Sequence, residues 1–469
     1  MAEPVETYVV MGLARSGLAA ARRLLDEGAA VRATDIKPRP QLETEAAALE
    51  AADGGAGRLT LTLGEHPSGL LDGARAVILS PGIPLTVPFL AEASRRGIPV
   101  WSEVEFAFRR LKGVLVGITG SNGKSTTTAL TAHVLANAGR RAVAAGNIGT
   151  PLSEFIPEDA PEAVYVTELS SFQLESVDTF RPRIGAILNI TPDHLDRYPS
   201  MAEYEEAKWN LFRNMAEGDA AVLNARDGRL AEGVVRLEGP VYWFDARPAV
   251  PKDLLKGAGV YDHHIWLNTD GRPVCLMGVD EVPLPGPHNL ENALAAAVMA
   301  RLLGLDDARV REGIRSFRAL EHRLEPVAEI AGRLFVNDSK ATNVDSTLLA
   351  LKSYRRPLVL ILGGKDKGSP YTPLLEPIRK GVRHCLLIGK AAPLIAEALG
   401  PGLPHSFCET LEEATRRAFA LSEPGDAVVL SPACASYDMF DNFEHRGRVF
   451  KETVRALEGE NDGSGGKTP

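Results

Sequence analysis

The chain has 469 residues, enough for about three domains, and its composition of 45% apolar and 24% charged residues is that of an ordinary globular protein. The net charge of -9 argues against general binding to nucleic acid or to anionic membranes. The sequence has no long uncharged apolar run, no signal-peptide pattern, and four widely separated cysteines. It therefore predicts a cytoplasmic protein with reduced thiols and no membrane insertion.

Short apolar runs alternate with helical patterns along most of the chain, which predicts the α/β class with parallel sheets. Three strand-loop-helix beginnings define predicted domains at residues 1–102, 103–318 and 319–469, with a disordered tail from about residue 459. Between Gly218 and Pro287 the pattern changes to short strands, with a hairpin turn at Asp270–Gly271.

The first strand-loop-helix beginning, "GLARSG", is close to a dinucleotide-binding fingerprint. Asp35 closes the next strand, at the distance where an acid binds ribose hydroxyls. However, Ala14 stands where the fingerprint has the glycine that lets a pyrophosphate approach the backbone. These residues leave three interpretations open: NAD, another nucleotide, or a simple turn.

The second beginning, "GITGSNGKSTTTAL", has the order of strand, glycine-rich loop and helix that is typical of a P-loop. Its backbone N–H groups would cradle phosphates, Lys124 would add charge, and the Ser125 hydroxyl would coordinate Mg²⁺. The usual pattern has a glycine where this chain has Ile118. The strand "AVYVTE" ends at Glu168, which either binds a metal ion or caps a helix.

Ser200 and Glu203 form a capping-box pattern that predicts the start of a helix. On that helix Lys208 falls inside an apolar stripe that continues to Met215, so it faces inward. Such a lysine either extends to the rim of the core or is buried with a partner and a lowered pKa, which makes the amine reactive. Just upstream, His194 lies in a loop rich in polar residues.

Further polar residues follow predicted strands in the last part of the chain. Asn289 and Asn292 lie one helical turn apart, and they either hydrogen-bond a nucleotide or cap the helix. Arg323 precedes three loops, "NDSKATN", "GGKDKG" and "SPACASYDMFDNFEHRG". Each loop lies at the carboxyl end of a predicted parallel strand, where α/β sheets bind ligands, but any one of them taken alone is equally well structural.

Together these motifs resemble the Mur ligases, ATP-dependent enzymes that form amide bonds in peptidoglycan precursors. The resemblance runs from "GLARSG" to "NFEHRG" through "TGSNGKST", "GNIG", "ELSSFQLE", "NITPDHLDRYP", "GPHNLENALAA" and "NDSKATN". It is greatest to the members that add D-glutamate to UDP-N-acetylmuramoyl-L-alanine. It implies a monomer with a Rossmann-like first domain, a central P-loop ATPase-type domain and a Rossmann-like third domain.

The resemblance also implies a role for each site residue, in groups that share a ligand. The ATP phosphates would be held by Gly120, Ser121, Asn122, Gly123, Lys124, Ser125 and Thr126, and the rest of the nucleotide by Asn289, Asn292 and Arg323. One Mg²⁺ would be bound by Ser125 and Glu168, and a second by His194 and a carbamylated Lys208. The catalytic residues would be Lys124, His194 and Lys208.

The substrate residues follow in the same way. The UDP group would contact Arg15, Ser16, Asp35, Ser80 and Gly82. The remainder of the UDP-sugar-alanine would contact Asn147, Ser170 and Gln173. The incoming D-glutamate would contact Lys340, Thr342, Lys367, Ser436 and Phe443, with Lys365 as the alternative to Lys367.

Three rival functions remain at this point. Within the superfamily, the rival is another amino-acid-adding Mur ligase or a folylpolyglutamate synthase, but the third-domain loops fit D-glutamate better. A P-loop switch would hydrolyse ATP without needing a carboxylate and an amine together. An NAD oxidoreductase would use the first turn, against which Ala14 and the P-loop argue.

Overall fold

The computed structural model describes residues 5–194, 197–248, 256–284, 286–318, 320–368 and 370–464. The chain forms two compact units, the first comprising Met1–Glu281 with Glu291–Phe317 and the second comprising Val282–Leu290 with Arg318–Pro469. Each unit is built on mainly parallel sheets, which confirms the predicted α/β class. None of the helices in the described ranges has the length and apolar character needed to cross a membrane.

The first sheet has the strand order β3-β2-β1-β4-β5, and all its pairings are parallel. This is the order of the first five strands of the Rossmann fold, 3-2-1-4-5-6. Its strands are β1 (Thr7–Met11), β2 (Ala30–Asp35), β3 (Leu59–Leu63), β4 (Ala74–Leu79) and β5 (Val100–Ser102). Its helices are α1 (Arg15–Asp26), α2 (Glu43–Asp53), α3 (Pro88–Arg95) and α4 (Glu103–Phe108).

The second sheet, also in the first unit, has the order β14-β13-β12-β11-β10-β9-β6-β8-β7. Its strands are β6 (Val114–Thr119), β7 (Ala142–Gly146), β8 (Val164–Glu168), β9 (Ile184–Ile187), β10 (Ala220–Asn224), β11 (Val241–Pro248), β12 (Gly257–Tyr261), β13 (His264–Asn268) and β14 (Val274–Gly278). Its helices are α5 (Lys124–Asn137), α6 (Ser171–Leu174), α7 (Met201–Trp209), α8 (Gly228–Gly233), α9 (Pro287–Leu302) and α10 (Asp307–Arg315). Strands β13 and β14 pair antiparallel around Asp270 and Gly271, as predicted.

The second unit contains one sheet of order β15-β16-β20-β17-β18-β19, in which the pairing of β15 with β16 is antiparallel and the others are parallel. Its strands are β15 (Glu325–Ile330), β16 (Arg333–Asn337), β17 (Leu358–Gly363), β18 (Val382–Ile388), β19 (His405–Phe407) and β20 (Ala427–Leu430). Its helices are α11 (Val344–Ser353), α12 (Leu375–Gly381), α13 (Ala392–Leu399), α14 (Leu411–Leu421) and α15 (Phe443–Ser464).

Helix α15 continues into the segment for which the sequence predicts a tail, and residues 465–469 lie outside the described ones. The domain boundaries at residues 102 and 318 stay predictions.

The parallel pairing decides where functional loops meet. In the second sheet, Ile118 of β6 pairs with Glu168 of β8, and Thr119 pairs with Ile187 of β9. The three strands therefore end at the same edge of the sheet, and the loops that follow them are neighbours. The buried cores on the sheet faces keep these strand ends fixed.

Candidate active site

The glycine-rich loop lies between β6 and α5. Gly120 and Gly123 have φ angles of +151° and +86°, which favour glycine. A Cβ added at Gly123 would lie 2.5 Å from Asn292 Oδ1, so the loop is also closely packed. Ile118 is fully buried within β6. The position where the usual pattern has a glycine is therefore still strand here, and the chain turns two residues later.

Side chains from a neighbouring loop hold the P-loop backbone. Asn189 accepts a hydrogen bond from the Asn122 N–H at 2.8 Å and donates one to the Asn122 carbonyl at 3.0 Å. The Ser121 hydroxyl donates to the Thr191 carbonyl at 2.8 Å and lies 3.0 Å from the Tyr204 hydroxyl. The sequence assigns no role to Asn189 or Tyr204. The available signal for Asn189 is its place directly after a buried strand.

Two lysine amines converge on one carbonyl oxygen of this loop. Lys124 Nζ donates to the Gly120 carbonyl at 2.8 Å and to the Ser121 carbonyl at 2.9 Å. Lys208 Nζ donates to the same Gly120 carbonyl at 3.0 Å. Lys208 is only 1% exposed. Burial, together with the charge of Lys124, holds the pKa of Lys208 well below its ordinary value, although Asp193 opposes the shift.

The inward orientation of Lys208 confirms the prediction from its helix. The Ser200 hydroxyl accepts a hydrogen bond from the Glu203 N–H and caps α7. However, α7 ends at Trp209, earlier than the apolar stripe indicated. Leu211 and Phe212 are buried in the 3₁₀ turn that follows, so the core contacts continue after the α-helix has ended.

His194 and Lys208 lie against the same aromatic ring. The His194 and Tyr204 ring centroids are 6.4 Å apart, and Lys208 Nζ lies 4.4 Å from the Tyr204 ring centroid. His194 has a positive φ of 54° and packs edge-on to Phe172 at 4.8 Å between centroids. Its Nε2 lies 3.7 Å from Asp193 Oδ2. The structure thus brings these two predicted ligands into one neighbourhood.

Glu168 ends β8, beside the P-loop strand, and is 2% exposed. Asn147 donates from its side chain to Glu168 Oε1 at 2.8 Å and from its backbone N–H to the Glu168 carbonyl at 2.9 Å. Ser170 and Gln173 form a reciprocal capping box at the start of α6, with Gln173 almost fully buried. That hydrogen bonding gives both residues a structural role at the edge of the site.

The donor chemistry at this edge fits Mg²⁺. The hydroxyl of Ser125, which is buried, and the carboxylate of Glu168 are hard oxygen donors, and His194 adds an imidazole. Among the described residues no group of three or more histidine, cysteine, aspartate or glutamate side chains is placed to hold a metal ion. The predicted ligands include only Glu168 and His194 of those types.

Around the first turn, between β1 and α1, the backbone is tightly packed. A Cβ added at Gly17 would lie 1.8 Å from the Gly12 carbonyl oxygen. A Cβ added at Gly12 would lie 2.7 Å from Ser80 Cβ. Asp35 accepts hydrogen bonds from the Leu13 N–H at 2.8 Å and the Lys37 N–H at 3.0 Å. The structure therefore gathers Ser80 and Asp35 at this turn, and the Asp35 carboxylate fixes its backbone.

The other predicted residues of the first turn are more open. Arg15 is exposed, and its guanidinium donates to the Gly149 carbonyl at 2.9 Å. Ser16 is half-buried in the first turn of α1, and Gly82 is exposed. The Arg15 contact connects the turn to the "GNIG" loop that carries Asn147. It thus joins the predicted UDP residues to those predicted for the rest of the same substrate.

In the second unit, a buried arginine holds two of the predicted loops together. Arg446 is fully buried and donates to Ser339 Oγ at 3.0 Å, to the Ser339 carbonyl at 2.8 Å and to the Cys434 carbonyl at 3.1 Å. Lys365 joins the third loop to them through two backbone hydrogen bonds with Ala435. The sequence assigns no role to Arg446, although it lies within the quoted motif "NFEHRG".

The predicted D-glutamate residues lie on these connected loops. Lys340 Nζ is 5.5 Å from the Phe443 ring centroid, and Ser436 is buried. Thr342 is half-buried, whereas Lys367 is exposed. Nearby, burial raises the pKa of Asp338 to about 7, although the positive charge of Arg323 opposes the shift. Polar and charged side chains therefore lie together at this sheet edge.

The predicted nucleotide residues of α9 divide between the two units. In the first unit, Asn292 Oδ1 accepts a hydrogen bond from the Thr127 hydroxyl at 3.1 Å. Asn292 therefore lies against the P-loop helix, as a nucleotide-site residue should. Asn289 and Arg323 belong to the second unit, where Asn289 is buried and Arg323 is half-buried.

Three family models match successive parts of the chain. The "Mur ligase MurD-like, N-terminal domain" matches residues 6–102, the "Mur ligase middle domain" residues 118–300, and the "Mur ligase, glutamate ligase domain" residues 322–434. Among curated relatives, proteins named "UDP-N-acetylmuramoylalanine--D-glutamate ligase" are 46% identical in Anaeromyxobacter dehalogenans and 44% in Myxococcus xanthus. The alignments cover 94% and 96% of this chain and 96% and 98% of those relatives.

Solved structures have the same fold at lower identity. A pseudomurein peptide ligase type C from Methanothermus fervidus is 18% identical, with a TM-score of 0.59 over 96% of this chain and 100% of that one. MurF ligase from Thermotoga maritima, solved with ADP, is also 18% identical, with a TM-score of 0.54 over 83% and 91% of the two chains. On this sequence and fold similarity, the chain belongs to the Mur ligase family.

Proposed function

We propose that this chain joins D-glutamate to UDP-N-acetylmuramoyl-L-alanine, using ATP and releasing ADP and phosphate. The names of relatives that align over nearly the whole chain support these substrates. The glutamate ligase family model that matches residues 322–434 supports the same amino acid. Because ATP and UDP-linked sugars are cytoplasmic metabolites, we place the reaction in the cytoplasm.

The P-loop binds the ATP phosphates in this proposal. Its backbone N–H groups and the N-terminus of α5 attract negative charge. Lys124, whose amine lies folded against the Gly120 and Ser121 carbonyls, turns toward the β- and γ-phosphates when they are present. Asn292 fixes one side of the nucleotide site through its packing on Gly123, and we assign Asn289 and Arg323 to the same nucleotide.

Lys208 is the residue whose chemistry distinguishes this site from an ordinary P-loop. Its lowered pKa keeps a fraction of the buried amine neutral, and a neutral amine adds CO₂ to give a carbamate and a proton. The carbamate would have carboxylate-like oxygens, so Lys208 and His194 would hold one Mg²⁺, and Ser125 and Glu168 would hold the other. Bound Mg²⁺ supplies charge neutralisation between the polyphosphate and the incoming carboxylate.

In this reaction the protein mainly positions the substrates and does not react covalently with them. The alanyl carboxylate oxygen attacks the γ-phosphorus, the bond to the β-phosphate oxygen breaks, and an acyl phosphate forms with ADP. The D-glutamate amine attacks the acyl carbon to give a tetrahedral intermediate. That intermediate expels phosphate as the amide forms. Lys124 offsets the repulsion between the two anions that must approach each other.

The remaining predicted residues are assigned to the other two substrates. We assign the UDP group to the first turn, where Asp35 holds the backbone and Ser80 lies beside Gly12. Asn147 and its neighbours Ser170 and Gln173 line the sugar-alanine part. D-glutamate is received by Lys340, Thr342, Ser436 and Phe443. Lys367 contacts the same amino acid, with Lys365 as the alternative, and we favour Lys367 by its spacing from Gly363 and Gly364.

The proposed ligase mechanism rests on one observation: the buried amine of Lys208 and the amine of Lys124 both donate a hydrogen bond to the Gly120 carbonyl. The decisive assay measures phosphate release from ATP and Mg²⁺ with UDP-N-acetylmuramoyl-L-alanine across a panel of amino acids. We expect release only when D-glutamate is present. Release with a different amino acid would indicate another Mur ligase, and release with neither substrate would indicate a P-loop switch.

A further inference from the structure

A strongly basic cavity lies in the second unit, away from the residues assigned above. It has a volume of about 780 Å³ and lies between the segment after α11 and the turn from α12 to β18. Its basic lining residues are Lys352, Arg355, Arg356, Arg379, Lys380 and Arg383. The same lining contains a single acidic residue, Glu376. This cavity, called the basic cavity below, contrasts with the chain's net charge of -9.

Local structure explains only some of these charges. Lys380 forms an ion pair with Glu376 at 2.7 Å, and Arg383 forms ion pairs with Glu423 and Asp426, each at 2.9 Å. Lys352 and Arg379 lie in the last turns of α11 and α12, where cations offset the helix dipole.

Arg355 and Arg356 have neither explanation. Both are exposed, both lie outside any helix, and neither forms an ion pair with any residue that the structure describes. Like charges repel each other over distances up to the screening length, which is about 8 Å in physiological salt. Arg355 and Arg356, which share this lining with Lys352 and Arg379, therefore favour an anionic ligand.

The size and lining of the basic cavity indicate the class of that ligand. Cavities of roughly 300 to 1,000 Å³ typically hold small molecules. Guanidinium groups bind phosphate oxygens in bidentate pairs. Tyr354 also lines the cavity, and burial raises the pKa of its phenol, which therefore stays protonated and can donate a hydrogen bond.

Its position separates the basic cavity from the proposed D-glutamate site. Arg355 and Arg356 precede the amino end of β17, and Arg383 lies at the amino end of β18. The loops assigned to D-glutamate follow the carboxyl ends of β16, β17 and β20. In a parallel sheet these are opposite edges. We propose that the basic cavity binds a small anion that carries two or more phosphate groups.

The test is calorimetric titration of the full chain with inorganic tripolyphosphate. We expect two binding events, one at the P-loop and one at the basic cavity. The Lys124→Ala variant should lose the first event only. The Arg355→Ala/Arg356→Ala variant should lose the second event, or bind at least about tenfold more weakly there, while its ligase activity without tripolyphosphate stays unchanged.

A matched control is the Arg448→Ala/Arg455→Ala variant, which removes two exposed arginines from α15. It should leave both binding events unchanged. Equal weakening in this control would show non-specific charge attraction and overturn the proposal. A single binding event that Lys124→Ala abolishes would also overturn it, as would binding only to a long polyanion such as polyglutamate. Repeating the titration with guanosine triphosphate in the Lys124→Ala variant distinguishes a nucleotide ligand from an inorganic one.

Discussion

The first unit contains two glycine-rich turns with the same local order of strand, loop and helix, and they differ in what surrounds them. At the first turn the backbone of Gly17 packs closely against the backbone of Gly12. The Asp35 carboxylate stabilises this turn by accepting a hydrogen bond from the Leu13 N–H. At the second turn, side chains from distant elements converge, among them Asn189, Asn292 and Lys208. The difference teaches that the local order of strand, loop and helix fixes the backbone of the turn, whereas distant elements decide which side chains surround it.

The largest effect should follow from removing the buried amine at the second turn. Lys208→Ala should lower kcat about 10³-fold or more, which corresponds to roughly 4 kcal/mol. The physical reason is the loss of an anionic group that no neighbour replaces. Steady-state ligation measures the change, and added formate or acetate should restore part of it. Full activity of the alanine variant would exclude the carbamate.

The next prediction tests whether the two turns bind different ligands. Lys124→Ala should lower ATP-dependent turnover about 10²- to 10³-fold, because the phosphates lose their positive partner. Binding of the UDP substrate, measured by calorimetry without ATP, should stay within about twofold of the unmodified chain. If both ATP turnover and UDP-substrate binding disappeared, the assignment of the two turns to different ligands would be wrong.

A third change tests the packing at the first turn. Gly17→Ala places a Cβ 1.8 Å from the Gly12 carbonyl oxygen, so the helix must shift. We expect a loss of about 1–3 kcal/mol in the free energy of unfolding, and a higher KM for the UDP substrate. Chemical denaturation measures the stability. Gly228→Ala, in α8, is the matched control, because a Cβ there meets no atom within 4 Å and the residue has no assigned role in the site.

The smallest effect concerns the connection between the regions that carry the two turns. Glu103 follows β5 of the first sheet, is fully buried, and accepts a hydrogen bond from the Ser153 N–H at 2.6 Å. Burial raises the pKa of Glu103 to about 7, above its unfolded value of 4.5. The folded state therefore holds the proton more tightly, and stability falls as pH rises from 4.5 to 7.

The Glu103→Gln variant keeps the acceptor and removes this titration. Relative to the unmodified chain, it should gain about 2 kcal/mol in the free energy of unfolding between pH 5 and pH 7. Urea denaturation at several pH values measures the difference. A constant difference in the free energy of unfolding across that pH range would show that Glu103 does not titrate there. The contact between Glu103 and Ser153 would then be independent of pH.

Individual residues show how far the sequence could predict this structure. The capping box at Ser200 gave the start of α7 and, with the apolar stripe, the burial of Lys208, because both signals are local. It could not show that Lys208 Nζ reaches the Gly120 carbonyl, which is 88 residues away in the chain. Likewise Arg446 lay within a quoted motif, but two of its three partners, the hydroxyl and the carbonyl of Ser339, come from another loop.

The sequence by itself determined the class of fold, the order of the motifs and the resemblance to Mur ligases, because strand periodicity, glycine turns and helix caps act over a few residues. The tertiary structure alone decided which side chains share a site. Parallel strands bring their ends to one edge of a sheet, and that places Glu168 beside the P-loop strand and the two lysines on one carbonyl. It also revealed the basic cavity, whose arginines and lysines come from two separate segments that only folding brings together.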